Sequence, residues 1–502
     1  MDSKLQELKD RLREISDLKA ALAVLSWDQM TLMPTGGSEA RSRQMATLEL
    51  LSHEKFVSPE LGKLLDGLQS LLKQLPPDSP TAALIRVTTR DYQKAIKIPP
   101  SFAAQFSAHT SKTYEAWLKA RQEQNFKIVG PLLEKTLEFS RKMANFYPGY
   151  QHIADPLIDQ LDEGMTVRII RPLFQRLRAE LAPLVQKITS QPGSDDSCLR
   201  GHFSEAGQLE FGLKVARHLG FDFQRGRQDK SPHPFTTSFA INDVRITTRV
   251  REDFLAEALF STVHETGHAL YEQGINPDFD GTPLADGASM SVHESQSRLW
   301  ENIVGRSRNF WIYFYPRLQA LFPQQLKRFP LETFYRAINK VGRSLIRTDA
   351  DEVTYNLHVM LRFDLETELL EGKLAVKDLP EAWNERYRKD LGVVPPDEAV
   401  GVLQDMHWYS GTIGGYFQSY TLGNILSAQF YEAAIKALPQ IPSEIEAGNF
   451  NSLHSWLKDN IYRYGRQYSA AEIIKTATGR DLEIEPYIKY LKAKYGEIYR
   501  IK

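Results

Sequence analysis

The sequence predicts a large, mainly α-helical protein carrying one small β-hairpin. Three observations predict it. Apolar residues recur at helical spacing through most of the 502 residues. Turn clusters such as Pro34-Thr35-Gly36-Gly37, Pro76-Pro77-Asp78-Ser79-Pro80 and Pro99-Pro100 punctuate that pattern. Only across residues 235–250 does the helical period give way to β-branched and aromatic residues. A helix over residues 5–27 puts Leu8, Leu12, Ile15, Leu18 and Leu22 on one stripe. Further helices are expected over about 38–52, 59–73, 102–120, 129–146 and 166–190. The turn Gln191-Pro192-Gly193-Ser194-Asp195-Asp196 that follows reads as a surface loop or a subdomain joint. Phe235-Thr236-Thr237-Ser238-Phe239-Ala240 and Val244-Arg245-Ile246-Thr247-Thr248, with a turn at 241–243, make the hairpin. Its edge is suited to binding an extended peptide backbone. A long helix follows over about 249–273, ended by Gly274 and Pro277. Later helices are expected near 289–306, 330–370 (with Gly372 just past the end), 415–438, 443–464 and 487–501. There is no fixed-period repeat and no low-complexity segment.

Composition excludes several classes of function. Lys and Arg total 62 against 63 Asp and Glu, a net charge of -1, so no global field recruits nucleic acid or an anionic membrane. No apolar run is long enough for a transmembrane helix. The start, Met1-Asp2-Ser3-Lys4-Leu5, lacks the apolar region of a signal peptide. A single cysteine, Cys198, excludes an intrachain disulfide and fits a reducing compartment. The expected address is the cytoplasm.

The chemistry centres on His264-Glu265-Thr266-Gly267-His268, inside the long helix. Histidines four apart project from one helix face, a turn apart, and can bind one tetrahedral metal ion. Glu265 then lies beside the metal, placed to take a proton from water that the metal activates. Gly267 costs a helix about 1 kcal/mol against Ala. A small residue between the ligands therefore suggests close approach by another segment. A third ligand is expected on the next helix, where Glu294 follows His268 by 26 residues. His293 and Glu301 compete for that role. Glu301 lies seven residues beyond Glu294 on the same face, either as a partner orienting a ligand imidazole or as a solvated glutamate.

Read together, the motifs resemble the carboxypeptidase Taq family of metallocarboxypeptidases. They are His233-Pro234-Phe235, Asp243-Val244-Arg245-Ile246-Thr247, the His264–His268 pentapeptide and His293-Glu294-Ser295-Gln296. Ile346-Arg347-Thr348-Asp349-Ala350-Asp351 and Gly401-Val402-Leu403-Gln404-Asp405-Met406-His407-Trp408 follow, all in the family's order. Ser26-Trp27-Asp28-Gln29 through Met33-Pro34 looks like the family's N-terminal region. The resemblance implies one mainly helical domain over 1–502, neurolysin-like, with two lobes flanking a deep groove. It implies a homodimer that releases single residues from peptide C-termini with broad specificity. It assigns His264, His268 and Glu294 as metal ligands and Glu265 as general acid/base.

Other roles follow from residue chemistry. Tyr416 and Tyr420 are candidate donors to a developing oxyanion, with Tyr420 favoured; each also fits as a core aromatic. His233 and His407 are candidates to line the substrate site or to serve structure. A terminal carboxylate suits an arginine fork. Arg347 is the first candidate and Arg245 the second, with Arg249 and Arg343 nearby. Asp243, Asp349 and Asp351 read as structural partners of these arginines. His/His/Glu favours zinc, with cobalt or manganese able to fit. Two rival functions remain: an oligopeptidase cutting internally or releasing dipeptides, and a catalytically silent peptide-binding scaffold.

Overall fold

The computed structural model describes residues 3–501, and most of them are helical. They group into two compact units, each discontinuous in sequence. The first comprises Met1–Ile96, Asp195–Ile338 and Leu426–Leu482; the second comprises Lys97–Ser194, Asn339–Ile425 and Glu483–Lys502. The polar turn at 191–196 lies where the chain passes from the second unit back to the first. It is therefore the joint rather than an ordinary surface loop.

The first unit opens with helices Ser3–Thr31 and Ser38–Phe56, then Pro59–Leu72 and Pro80–Ala95. The last two start on serines whose hydroxyls accept from the third backbone N–H, each followed by proline in the first helical position. The predicted stripe holds in its first half. Leu5, Leu8, Leu12 and Ile15 are buried, whereas Leu18 and Leu22 are only part-buried. Helix Glu205–Leu219, which the sequence reading passed over, ends on Gly220 in the left-handed region.

The hairpin forms as β2, Thr236–Ala240, against β3, Asp243–Thr248. A third strand, β1 at Gly226–Lys230, pairs parallel to β3, so β3 is central and β2 remains an edge. Val244 and Ile246 point into the core on one face of β3, as period-two patterning requires. The helix after the sheet spans Leu255–Gly274, six residues later than expected at its start. Residues 249–254 are held non-helical because their carbonyls are already engaged: Phe203 N–H donates to Glu252 at 2.7 Å, and Phe254 bridges Arg200.

Helix Met290–Arg298 then packs on Leu255–Gly274 and continues as a π-helical turn, Leu299–Val304. The close approach inferred from Gly267 is real. A Cβ built there would lie 2.6 Å from Ser297 Cα and 2.7 Å from the Gln296 carbonyl oxygen.

The second unit contains helices Pro100–Gln122, Gly130–Asn145, Val167–Thr189, Tyr355–Glu371 and Glu485–Tyr499. The helix expected over 330–370 is interrupted at 339–354. Asp351 causes much of that break. Its carboxylate accepts from the backbone N–H groups of Gly342, Val353 and Thr354 and from the Thr354 hydroxyl, organising a loop in place of a helical ladder.

Gly267→Ala makes the packing constraint testable. Helix propensity alone would favour Ala by about 1 kcal/mol. The added methyl instead meets main-chain atoms that cannot rotate away, and overpacking of this kind costs about 1–3 kcal/mol or more. The expected net result is a lower urea-unfolding midpoint; a midpoint at or above wild type would refute it.

Candidate metal centre

His264 and His268 project from Leu255–Gly274, and Glu294 faces them from Met290–Arg298. Glu294 Oε2 stands 3.4 Å from His268 Nε2 and 3.8 Å from His264 Nε2. Donors about 2.0–2.1 Å from a tetrahedral zinc ion stand about 3.3 Å apart. The three donor atoms lie within 4.8 Å of one another. Their spacing and chemistry, two imidazole nitrogens and one carboxylate oxygen, fit such an ion.

Each ligand is held from behind. His264 Nδ1 meets Glu301 Oε2 at 2.9 Å, so Glu301 is a partner of the imidazole and not a solvated glutamate. The π turn carrying Glu301 widens the helix and still delivers this contact. Arg298 Nε donates to Glu294 Oε1 at 2.6 Å and its Nη1 to Glu301 Oε2 at 3.2 Å; Arg306 Nη2 donates to Glu301 Oε1 at 3.3 Å.

Electrostatics follow this pairing. Burial alone would raise the Glu294 carboxyl, but Arg298, His268 and His264 more than offset it and hold it below its ordinary value. Burial opposes Glu301 in the same way, yet His264 and Arg298 hold it at about 2. Burial depresses His268 to about 3, leaving the neutral imidazole that a metal requires. His264 is likewise lowered by burial, but Glu301 and Glu294 lift it above its ordinary value.

Glu265 turns its Oε2 to the Thr236 hydroxyl of β2, 2.7 Å away. Burial raises its carboxyl above its ordinary value, against His264 and Thr236. Thr236, which the sequence does not single out, thus holds the Glu265 carboxylate from the strand beside the ligand helix.

Two further neighbours, Arg298 and Glu272, were also missed. His293, a rival for the third-ligand position by sequence, instead sets its Nδ1 2.6 Å from His268 Nδ1, and Glu272 Oε1 lies 2.6 Å from His293 Nε2. Glu272 was detectable in principle, since His264, His268 and Glu272 repeat at intervals of four and share a helix face.

Of the remaining candidates in the first unit, His233 is exposed. Arg245 forks onto Asp243, with Nε and Nη2 each at 2.9 Å, and its guanidinium lies over Trp27 at 4.6 Å and Phe239 at 4.8 Å. Arg249 is exposed and paired with Glu257.

The second unit gathers Arg347, His407, Tyr416 and Tyr420. Arg347 is buried and donates to Asp405 from Nη2 at 2.8 Å and to the Tyr355 hydroxyl at 3.1 Å. Its partner is therefore Asp405 of the Gln404-Asp405 motif, not Asp349 or Asp351. Arg362 Nε donates to the other Asp405 oxygen at 2.6 Å. Burial would raise Asp405, but these two guanidiniums hold it far below its ordinary value. His407 Nε2 lies 3.3 Å from the Tyr420 hydroxyl, and its ring packs on Tyr416 and Phe417. Burial, with Arg347, depresses it to about 4, so it is neutral at pH 7. Tyr416 is exposed. Gly414 and Gly415, both at φ +93°, make the turn that presents these aromatics; a Cβ on Gly415 would lie 2.5 Å from the Leu157 carbonyl oxygen.

Comparison with known proteins came out uniformly. A family model described as carboxypeptidase Taq (M32) metallopeptidase matches residues 7–495. Thermostable carboxypeptidase 1 of Thermus thermophilus is 38% identical over 98% of both chains. Carboxypeptidase 1 of Bacillus subtilis is 36% identical over 98% of both. The crystal structure of an M32 carboxypeptidase from Deinococcus radiodurans superimposes with a TM-score of 0.97 at 47% identity, covering 99% of this chain and 100% of that one.

Glu366 supplies a pH prediction. This buried carboxylate accepts from Trp408 Nε1 at 2.6 Å, and burial raises it from 4.5 to about 7. The folded state therefore holds a proton that the unfolded chain has already released between these two values. The contribution of Glu366 to stability is full below about pH 4.5 and is lost, by about 3 kcal/mol, as pH rises through 7. Glu366→Gln, which cannot ionise, should show a smaller fall in urea midpoint between pH 5 and pH 7.5. An equal fall in both proteins would refute the assignment.

Proposed function

The chain belongs to the carboxypeptidase Taq (M32) family and is a metallocarboxypeptidase, and we propose that it removes single residues from peptide C-termini, with broad specificity, at the His264, His268 and Glu294 centre. The observation that carries this reading is the convergence of three buried or half-buried donor atoms beside a buried Glu265. The donor set favours a zinc ion, with cobalt as a working substitute. Bound there, zinc would supply Lewis-acid polarisation of the scissile carbonyl and acidify water.

The chain's own residues do the rest. Glu265, held by Thr236, accepts a proton from the attacking water and returns it to the leaving amine. Tyr420 is the proposed donor to the oxyanion, with Tyr416 as the alternative; removing such a donor costs about 3–4 kcal/mol elsewhere. Arg245 and Arg347 are the proposed readers of the terminal carboxylate, with His233 and His407 lining the substrate's path. Arg347 is already committed to Asp405, and that pair would have to share its fork with the substrate. The enzyme is proposed to act as a homodimer in the cytoplasm. No described helix is long and apolar enough to cross a membrane.

One assay separates the readings. An N-blocked peptide with a free C-terminus and its amidated twin are incubated with the protein, with and without chelator, and followed by mass spectrometry. Stepwise single-residue loss from the free peptide only, abolished by chelator and restored by zinc or cobalt, is the expected outcome. Internal cuts in both peptides would establish an oligopeptidase, and no cleavage under any metal condition would leave a silent scaffold. Glu265→Gln should lower kcat by at least about 100-fold, the contribution of a positioned base, with metal content unchanged. Full activity in that variant would sink the mechanism.

A further inference from the structure

The two histidines of the centre are secured in different ways. His264 meets a carboxylate directly, through Glu301 at 2.9 Å. His268 meets another histidine, His293, and only beyond it a carboxylate, Glu272. Glu272 sits one helical turn past His268 on the same face, 7% exposed, and His293 reaches between them from the neighbouring helix.

The ligating state determines every proton in this chain of contacts. With Nε2 given to a metal, the only proton on neutral His268 is on Nδ1. That N–H faces His293 Nδ1, which must therefore accept. A neutral His293 then carries its proton on Nε2, which faces Glu272 Oε1 and donates to it. Each contact has one donor and one acceptor, and the run ends on a carboxylate that needs no proton of its own. Reversing the first contact would put the His268 proton on Nε2 and block the metal position.

We propose that Glu272 is a positioning residue for the metal centre: through His293 it keeps the His268 proton on Nδ1 and leaves Nε2 open to the ion. The surroundings are built for this. Tyr271 packs on the His293 ring with centroids 5.4 Å apart, and its hydroxyl accepts from the Ala288 N–H at 3.0 Å. Gly287 leaves room for the ring, since a Cβ there would lie 2.8 Å from His293 Cδ2. The histidine preceding Glu294 is thereby explained as an intermediary.

The inference rests on the metal centre proposed above, and the test separates the two. Metal-free full-length wild type, Glu272→Leu and Glu272→Gln are titrated with zinc in competition with a chromophoric chelator. The melting temperature of each metal-free protein and the visible spectrum of each cobalt form are recorded alongside. Loss of a residue that holds a metal ligand by hydrogen bonding typically changes metal affinity about 10–100-fold. The expected result is a loss in that range for Leu, a smaller one for Gln, which retains an acceptor oxygen, and an altered cobalt spectrum for Leu. A purely structural glutamate would lower the melting temperature and leave affinity and spectrum alone. Affinities within about twofold of wild type in both variants would overturn the proposal. Should the Leu variant fail to fold, the Gln variant decides by the same limit. Absence of zinc binding in wild type would instead overturn the metal centre itself.

Discussion

The contact on which the metal centre depends is the crossing of two helix backbones at Gly267. With no side chain there, Ser297 and the Gln296 carbonyl come within reach of the ligand helix itself. Two imidazoles a turn apart and a carboxylate from the facing helix can share one ion only if their short reach spans the gap between helices. Any larger residue at 267 would push Glu294 away from His264 and His268. The serines and glutamine around the crossing, Ser295, Gln296 and Ser297, are wholly buried, as such close packing requires. A helix-weakening glycine in mid-helix is thus a local cost offset by tertiary geometry.

Around this crossing, charges are buried in alternation. Glu294, Arg298, Glu301 and Arg306 form a continuous run of opposite signs behind the ligands. In the second unit Arg347 and Arg362 converge on Asp405. Buried ions are costly alone, and removing one member of such a set commonly costs about 3–5 kcal/mol because its partner is stranded. These networks hold positions more than they add stability. Glu366 marks the contrast, since burial outweighs its Trp408 and Gly414 donors and the Arg362 charge and leaves it raised.

Much was legible in the sequence because it rests on local periodicity or on a motif. The hairpin beside the ligand helix, Gly372 as a helix end and Glu294 as a candidate third ligand all came from local pattern and spacing. β1 was not legible: Gly226-Arg227-Gln228-Asp229-Lys230 is polar, without alternation, and is a strand only because β3 offers it a ladder. The break at 339–354 was hidden for the opposite reason. Its residues fit a helical period, and Asp351 overrides it by taking the backbone donors.

By itself the sequence identified a helical metallocarboxypeptidase through its run of family-like motifs, and it nominated His264, His268 and Glu294 as metal ligands and Glu265 as the base. Those conclusions depend on residue types at fixed separations along one helix or across one connection, and helical geometry converts separation directly into direction. Tertiary structure decided the pairings: Thr236 with Glu265, Arg347 with Asp405 rather than Asp349 or Asp351, and Glu272 with His268 by way of His293. Each joins segments whose distance in the chain carries no information about their distance in space. Packing alone brings such groups within hydrogen-bonding range, and burial then makes each such bond one the fold cannot leave unmade.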